Sequence, residues 1–311
     1  AREPVLTAAT RAMFVVIGGV IAVAAGGLVG LVLLVLGTVG LATGRLRVAP
    51  EPEPGVTRRH GRLAEVFAVW IALFVGLQLI GGILAAAIAP DSAAAALVAA
   101  LVGFFASLLS LAWAPWRGLA GPELAGLAGL HRGRGWAWET ACGVVGYLAT
   151  LPLLGVGLLL TLLLAAAAGL IGDPGQVPAD PAEALMPATG PAHPIIGELG
   201  RSGRITLLVL LTGAVAAPIV EEIAFRGCLY GHLRHGLARL GRAGAITLAT
   251  LVNAFIFAVI HPQGFVAVPA LMSLAIGFSL VRQWRGSVVA PVVMHAINNG
   301  LVLGVVSLLL A

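Results

Sequence analysis

The chain has little charge, no lysine and two cysteines, and each shortage excludes something. Only 10% of its 311 residues are Asp, Glu, Lys or Arg, against about 25% in an ordinary soluble domain. With 59% hydrophobic residues and a mean hydropathy of +1.04, water-soluble, disordered and collagen-like chains are ruled out. Two cysteines, Cys142 and Cys228, far apart in apolar surroundings, build neither a disulfide framework nor a thiolate metal site. The 18 basic residues are all arginine and fall in short segments between apolar runs, so membrane topology accounts for them and nucleic acid is not an expected partner. No secretory leader is expected either, because the first apolar run, Met13–Ala42, is too long for a leader's core.

What the chain does have is a series of uncharged runs. After Met13–Ala42 come Val66–Ala89, Ser92–Ala114, Thr140–Ile171, Ala243–Ile260, Pro262–Val281 and Ser287–Ala311. Each is close to or above the roughly 20 residues that cross a hydrocarbon core. The stretch from Ile205 to Gly241 is apolar but interrupted by Glu221, Glu222 and Arg226; counted as one span, it brings the total to eight. The fold expected is an all-α polytopic membrane protein with its catalytic bundle in the C-terminal half. Three parts are expected: N-terminal helices over 1–139, a helix plus a proline-rich outer loop over 140–204, and a catalytic core over 205–311.

Arginine placement gives the orientation. Arg45, Arg47, Arg58, Arg59 and Arg62, then Arg117, Arg132 and Arg134, then Arg226, Arg234, Arg239 and Arg242, and finally Arg282 and Arg285 occupy alternate connections, whereas Arg2, Arg11, Arg201 and Arg204 lie on the other side. The arginine-rich side is therefore cytoplasmic, which puts both termini outside. The expected location is the bacterial inner membrane, with the active site opening to the cytoplasm. Trp113, Trp116, Trp136 and Trp138 read as interfacial anchors, and His60, His131, His193, His232 and His235 as solvated.

A carboxylate inside a membrane costs about 2.5–3.5 kcal/mol even on insertion scales and marks a functional site by default. Three groups stand out: Glu221-Glu222-x-x-x-Arg226, Phe257-x-x-x-His261 and His295-x-x-x-Asn299. Each places residues four apart on one helix face. Pro218 suits the first turn of a helix running to Gly241. Glu221 and His261 each lie 20 residues from Gly241, so a hairpin with its tip there brings them to equal height. Adjacent helical positions point about 100° apart, so the two glutamates divide their roles. Glu222, one turn before Arg226, is structural with it; Glu221, with no local cation, is the general base.

These motifs resemble, in order and spacing, the three signatures of the CPBP family, the CAAX-protease and bacteriocin-processing (Abi) intramembrane endopeptidases that include the Rce1-like prenyl-protein peptidases. The resemblance covers roughly residues 205–311. It implies that Glu221 and His261 activate water and that His295 and Asn299 form an oxyanion hole. It also implies a peptide or protein substrate, lipidated or not, met within the bilayer. No cofactor is expected; zinc held by Glu221, His261 and His295 is the chemical alternative. Gly200-Arg201-Ser202-Gly203 resembles the nucleophile motif of rhomboid proteases, but it sits in a loop without a patterned histidine partner and is set aside. A non-catalytic immunity or scaffold protein and a proton-coupled transporter are the competing classes, the latter because buried carboxylates and histidines are typical of it too.

Overall fold

A computed structural model describes residues 3–46, 57–170 and 194–310. Every regular element among them is helical. In chain order these are α1 (Glu3–Ala42), α2 (Thr57–Ile88), α3 (Ala93–Trp116), the short α4 (Gly121–Ala128), α5 (Trp136–Ala167), α6 (Gly203–Gly236), α7 (Gly241–Val259), α8 (Val268–Arg285) and α9 (Val289–Leu310). All but α4 are long and apolar enough to cross a membrane, which makes eight candidate spans among the described residues, as the apolar runs predict. The protein is an all-α polytopic membrane protein. Residues 47–56, with Arg47, and most of the expected proline-rich loop, 171–193, lie outside the described residues.

The turns follow local chemistry. The α2–α3 hairpin turns at Asp91, which takes a left-handed backbone conformation (φ 65°), and Ser92 then caps α3 by accepting from the Ala95 N–H. Ser202 is likewise the N-cap of α6, accepting from the Ile205 N–H, which gives the serine of the Gly-Arg-Ser-Gly segment a structural task. Gly241 (φ 71°) makes the tip between α6 and α7. Trp116 and Trp136 are exposed near helix ends, as interfacial anchors should be, while Trp113 donates from its indole to Glu65. His235 departs from the reading as solvated: it is buried beside Arg234 near the end of α6.

Helix α5 is the central post, packed against α1, α8 and α9, with α7 alongside α8 and α2 alongside α3. In lipid there is little hydrophobic drive between helices, so close approach depends on small residues. A side chain at Gly157 of α5 would meet Ser273 Oγ at 2.2 Å and the Pro269 carbonyl at 2.6 Å; one at Gly277 of α8 would meet Thr150 Oγ1 at 2.3 Å. Gly157→Leu is therefore expected to force α5 off α8 and destabilise the protein by about 1–3 kcal/mol, read as a lower unfolding midpoint in detergent.

Helix α6 departs most from the sequence reading. Pro218 does not begin a helix but lies inside one that runs on from Gly203. The chain accommodates it with a wide π turn, Leu211–Ala216, directly before the proline. The Ala217 N–H bonds to the Thr212 carbonyl, five residues back. Proline has no N–H to offer the Gly213 carbonyl in that register. A second wide turn, Ile223–Leu229, follows the two glutamates and contains Arg226.

Candidate functional site

The wide turns decide where the polar residues go. The first leaves the Gly213 carbonyl without a helical donor, which is costly in a membrane, while in the second the Phe225 carbonyl keeps the Tyr230 N–H; an asparagine from a neighbouring helix donates to each of these carbonyls. Asn299 of α9 donates its Nδ2–H to the Gly213 carbonyl at 2.8 Å. Asn253 of α7 donates to the Phe225 carbonyl at 2.9 Å, with its own Oδ1 accepting from Ser279 of α8 at 3.3 Å. The first bond pins Asn299 against α6 while leaving its second N–H unspent. Asn253 carried no signal in the sequence beyond being polar within an apolar run.

Between these anchors, Arg226 is wholly buried. Its Nη1 donates to Glu222 Oε1 at 2.8 Å and its Nη2 to the Ala275 carbonyl at 3.2 Å. The guanidinium lies over the Phe257 ring at 4.5 Å and the Phe278 ring at 5.1 Å. Phe257, read as packing, thus carries a cation–π contact as well. The expected Glu222–Arg226 pair is present, yet Glu222 does more than pair with arginine. Its Oε1 also lies 2.9 Å from His295 Nδ1, and the His295 ring stacks on Phe278 at 5.2 Å. The two glutamates point apart, and each reaches one of the site histidines.

Glu221 faces the other histidine. Its Oε2 lies 3.6 Å from His261 Nε2 and has no hydrogen-bond partner. His261 follows the end of α7, and its Nδ1–H donates to the Phe257 carbonyl at 2.5 Å, so in the neutral ring Nε2 carries a lone pair turned to Glu221. At 3.6 Å the two groups are too far apart for a direct hydrogen bond and close enough for one water to bridge them. Glu221, His261, His295 and Asn299 all line one cavity of about 900 Å³, the convergence that the hairpin register predicts. Among the described residues no three His, Cys, Asp or Glu side chains gather as a metal-binding group. Glu221 and His261 pair with each other, and His295 is tied to Glu222.

The cavity walls include Ala93 at the start of α3, Glu198 before α6, Gln263 between α7 and α8, and Val302 towards the end of α9.

Comparisons with known proteins point the same way as the motifs. Residues 203–301 match the family model of the Rce1-like type II CAAX prenyl endopeptidases. The membrane-embedded CAAX protease MroQ of Staphylococcus aureus (strain USA300) is 30% identical over 89 residues, covering 29% of this chain and 35% of that protein. The chain thus matches about a third of the length of that relative. No solved structure matches.

Proposed function

We propose that this chain, whose residues 203–301 match the Rce1-like type II CAAX prenyl endopeptidases, is an intramembrane endopeptidase of the CAAX-protease (CPBP) family that hydrolyses a peptide bond with a water activated by Glu221 and His261. The reading rests above all on one observation: a carboxylate oxygen without a hydrogen-bond partner and an imidazole nitrogen 3.6 Å apart on the wall of a mostly apolar cavity. A water donating one proton to Glu221 Oε2 and the other to His261 Nε2 turns its own lone pair into the cavity. As it attacks a carbonyl carbon, Glu221 takes a proton; the tetrahedral intermediate then expels the amine, which leaves with that proton.

The developing oxyanion needs donors. Asn299 has its second Nδ2–H. His295 Nδ1 lies 2.9 Å from Glu222 Oε1, a contact that orients the ring on the cavity wall beside Asn299. Asn299→Ala is expected to lower kcat about 10²–10³-fold, the usual effect of losing one oxyanion donor, with a smaller effect on KM. The substrate class is a peptide whose scissile bond reaches into the bilayer; Cys-aliphatic-aliphatic-X tails are the archetype for the resemblance. No metal is required by this scheme, so cleavage is expected to survive chelator washing. The test is cleavage of a farnesylated and an unmodified tail peptide by purified protein in liposomes, with Glu221→Gln as control. Cleavage of either by the parent and not by the variant supports the reading, and proton-dependent flux without cleavage overturns it.

A further inference from the structure

The chain has three asparagines in 311 residues: Asn253, Asn298 and Asn299. A carboxamide is costly in a membrane unless its donors and acceptor are matched, yet two of the three stand side by side on α9. Asn299 has a place in the proposed chemistry and Asn298 has none. Adjacent helical positions point about 100° apart, but both asparagines line the cavity. They also meet directly: Asn298 Nδ2 donates to Asn299 Oδ1 at 3.2 Å.

That contact completes a hold on the Asn299 carboxamide. A carbonyl only accepts, so the Gly213 oxygen at 2.8 Å requires the nitrogen end of the amide to face α6. The Asn299 oxygen in turn only accepts, so the group set against it must be a donor, which is the Asn298 amide nitrogen. The terminal torsion of an asparagine is otherwise broad; with nitrogen and oxygen both held, the planar group no longer turns. The second Nδ2–H lies in that plane, so its direction is fixed too. Donation into the oxygen also polarises the amide and strengthens its N–H as a donor. Asn253 is held in the same manner at the other wide turn, its nitrogen on the Phe225 carbonyl and its oxygen facing Ser279 Oγ at 3.3 Å.

We propose that Asn298 is a positioning residue for hydrolysis: by donating to Asn299 Oδ1, it aims the free N–H of Asn299 at the developing oxyanion. The proposal rests on the peptidase reading for the oxyanion, while the hold on the carboxamide rests on the two contacts alone. Aim matters because a donor displaced by about 1 Å forfeits much of its effect on a transition state.

Asn298→Leu keeps the approximate shape and volume of the side chain and removes the donor. It is expected to lower kcat about 10- to 10²-fold, with KM and the unfolding midpoint near those of the parent. In an Asn299→Ala background the same substitution is expected to change kcat by less than about twofold, because no carboxamide remains to be aimed. An equal loss in both backgrounds, a loss carried by KM, or a lowered midpoint accounting for the loss would mean that Asn298 acts on substrate or on packing, and each overturns the proposal. A second measurement needs no substrate. Protein labelled with nitrogen-15 at its asparagine side chains has three such NH2 groups, and the two variants assign them by elimination. Asn298→Leu is expected to make the Asn299 group mobile in nitrogen-15 relaxation while Asn253 stays rigid; an Asn299 group as rigid as in the parent overturns the proposal. A parent that cleaves no peptide overturns the peptidase reading and this role with it, whereas relaxation alone decides the hold on Asn299, so the two failures are told apart.

Discussion

Glu221→Gln is expected to lower peptide cleavage by at least about 10³-fold, in keeping with removal of the group that takes the proton from water, while leaving the folded protein intact. The carboxylate has few structural ties to lose: Oε2 has no hydrogen-bond partner, and His261 Nε2 is 3.6 Å away. Glutamine keeps the volume and polarity but no longer accepts a proton at neutral pH. The loss should appear in kcat with KM nearly unchanged, because the cavity walls that hold the peptide are untouched. An unchanged unfolding midpoint alongside the lost activity separates this from misfolding. His261→Gln should also lower kcat, because the water between the two groups loses the second partner that orients it. A Glu221→Gln enzyme that cleaves at the parent rate would remove the general base from the scheme.

The fold was legible because hydrophobic runs and arginine bias are written one residue at a time. Eight spans, the hairpin at Pro90-Asp91 and the Gly241 tip all follow from local composition. The equal spacing of Glu221 and His261 from that tip was enough to bring them together. The partnership of Glu222 with His295 was not legible, because it joins α6 to α9 across 73 residues and no periodicity within one helix encodes it. Nor were the two wide turns in α6: a proline signals a break, and only the surrounding helices show that the break is absorbed by a shift in hydrogen-bond register. Asn253 and Asn299 look alike in sequence as polar interruptions, and their distinct tasks depend on which carbonyls those turns present to them.

Removing Arg226 is expected to produce the largest loss of stability. Arg226→Met preserves most of the side chain's length but leaves the Glu222 carboxylate buried opposite His295 with no arginine. Breaking a buried pair by deleting one partner costs about 3–5 kcal/mol, because the remaining charge is neither solvated nor matched. The bond to the Ala275 carbonyl and the stacking on Phe257 and Phe278 go with it. The expected observation is a large drop in unfolding midpoint, or failure to recover monodisperse protein. Replacing both partners, as Glu222→Gln with Arg226→Met, removes the uncompensated charge and should recover a good part of that loss, so the two substitutions are non-additive. Activity should not recover in parallel. Glu222 Oε1 also orients the His295 ring through Nδ1, and a glutamine there presents one acceptor oxygen in place of two. The double variant therefore separates the two tasks of one carboxylate. Recovered stability with depressed kcat shows that Glu222 both anchors Arg226 and supports His295. Recovered stability with parental kcat would mean that the ion pair holds helices together and nothing more.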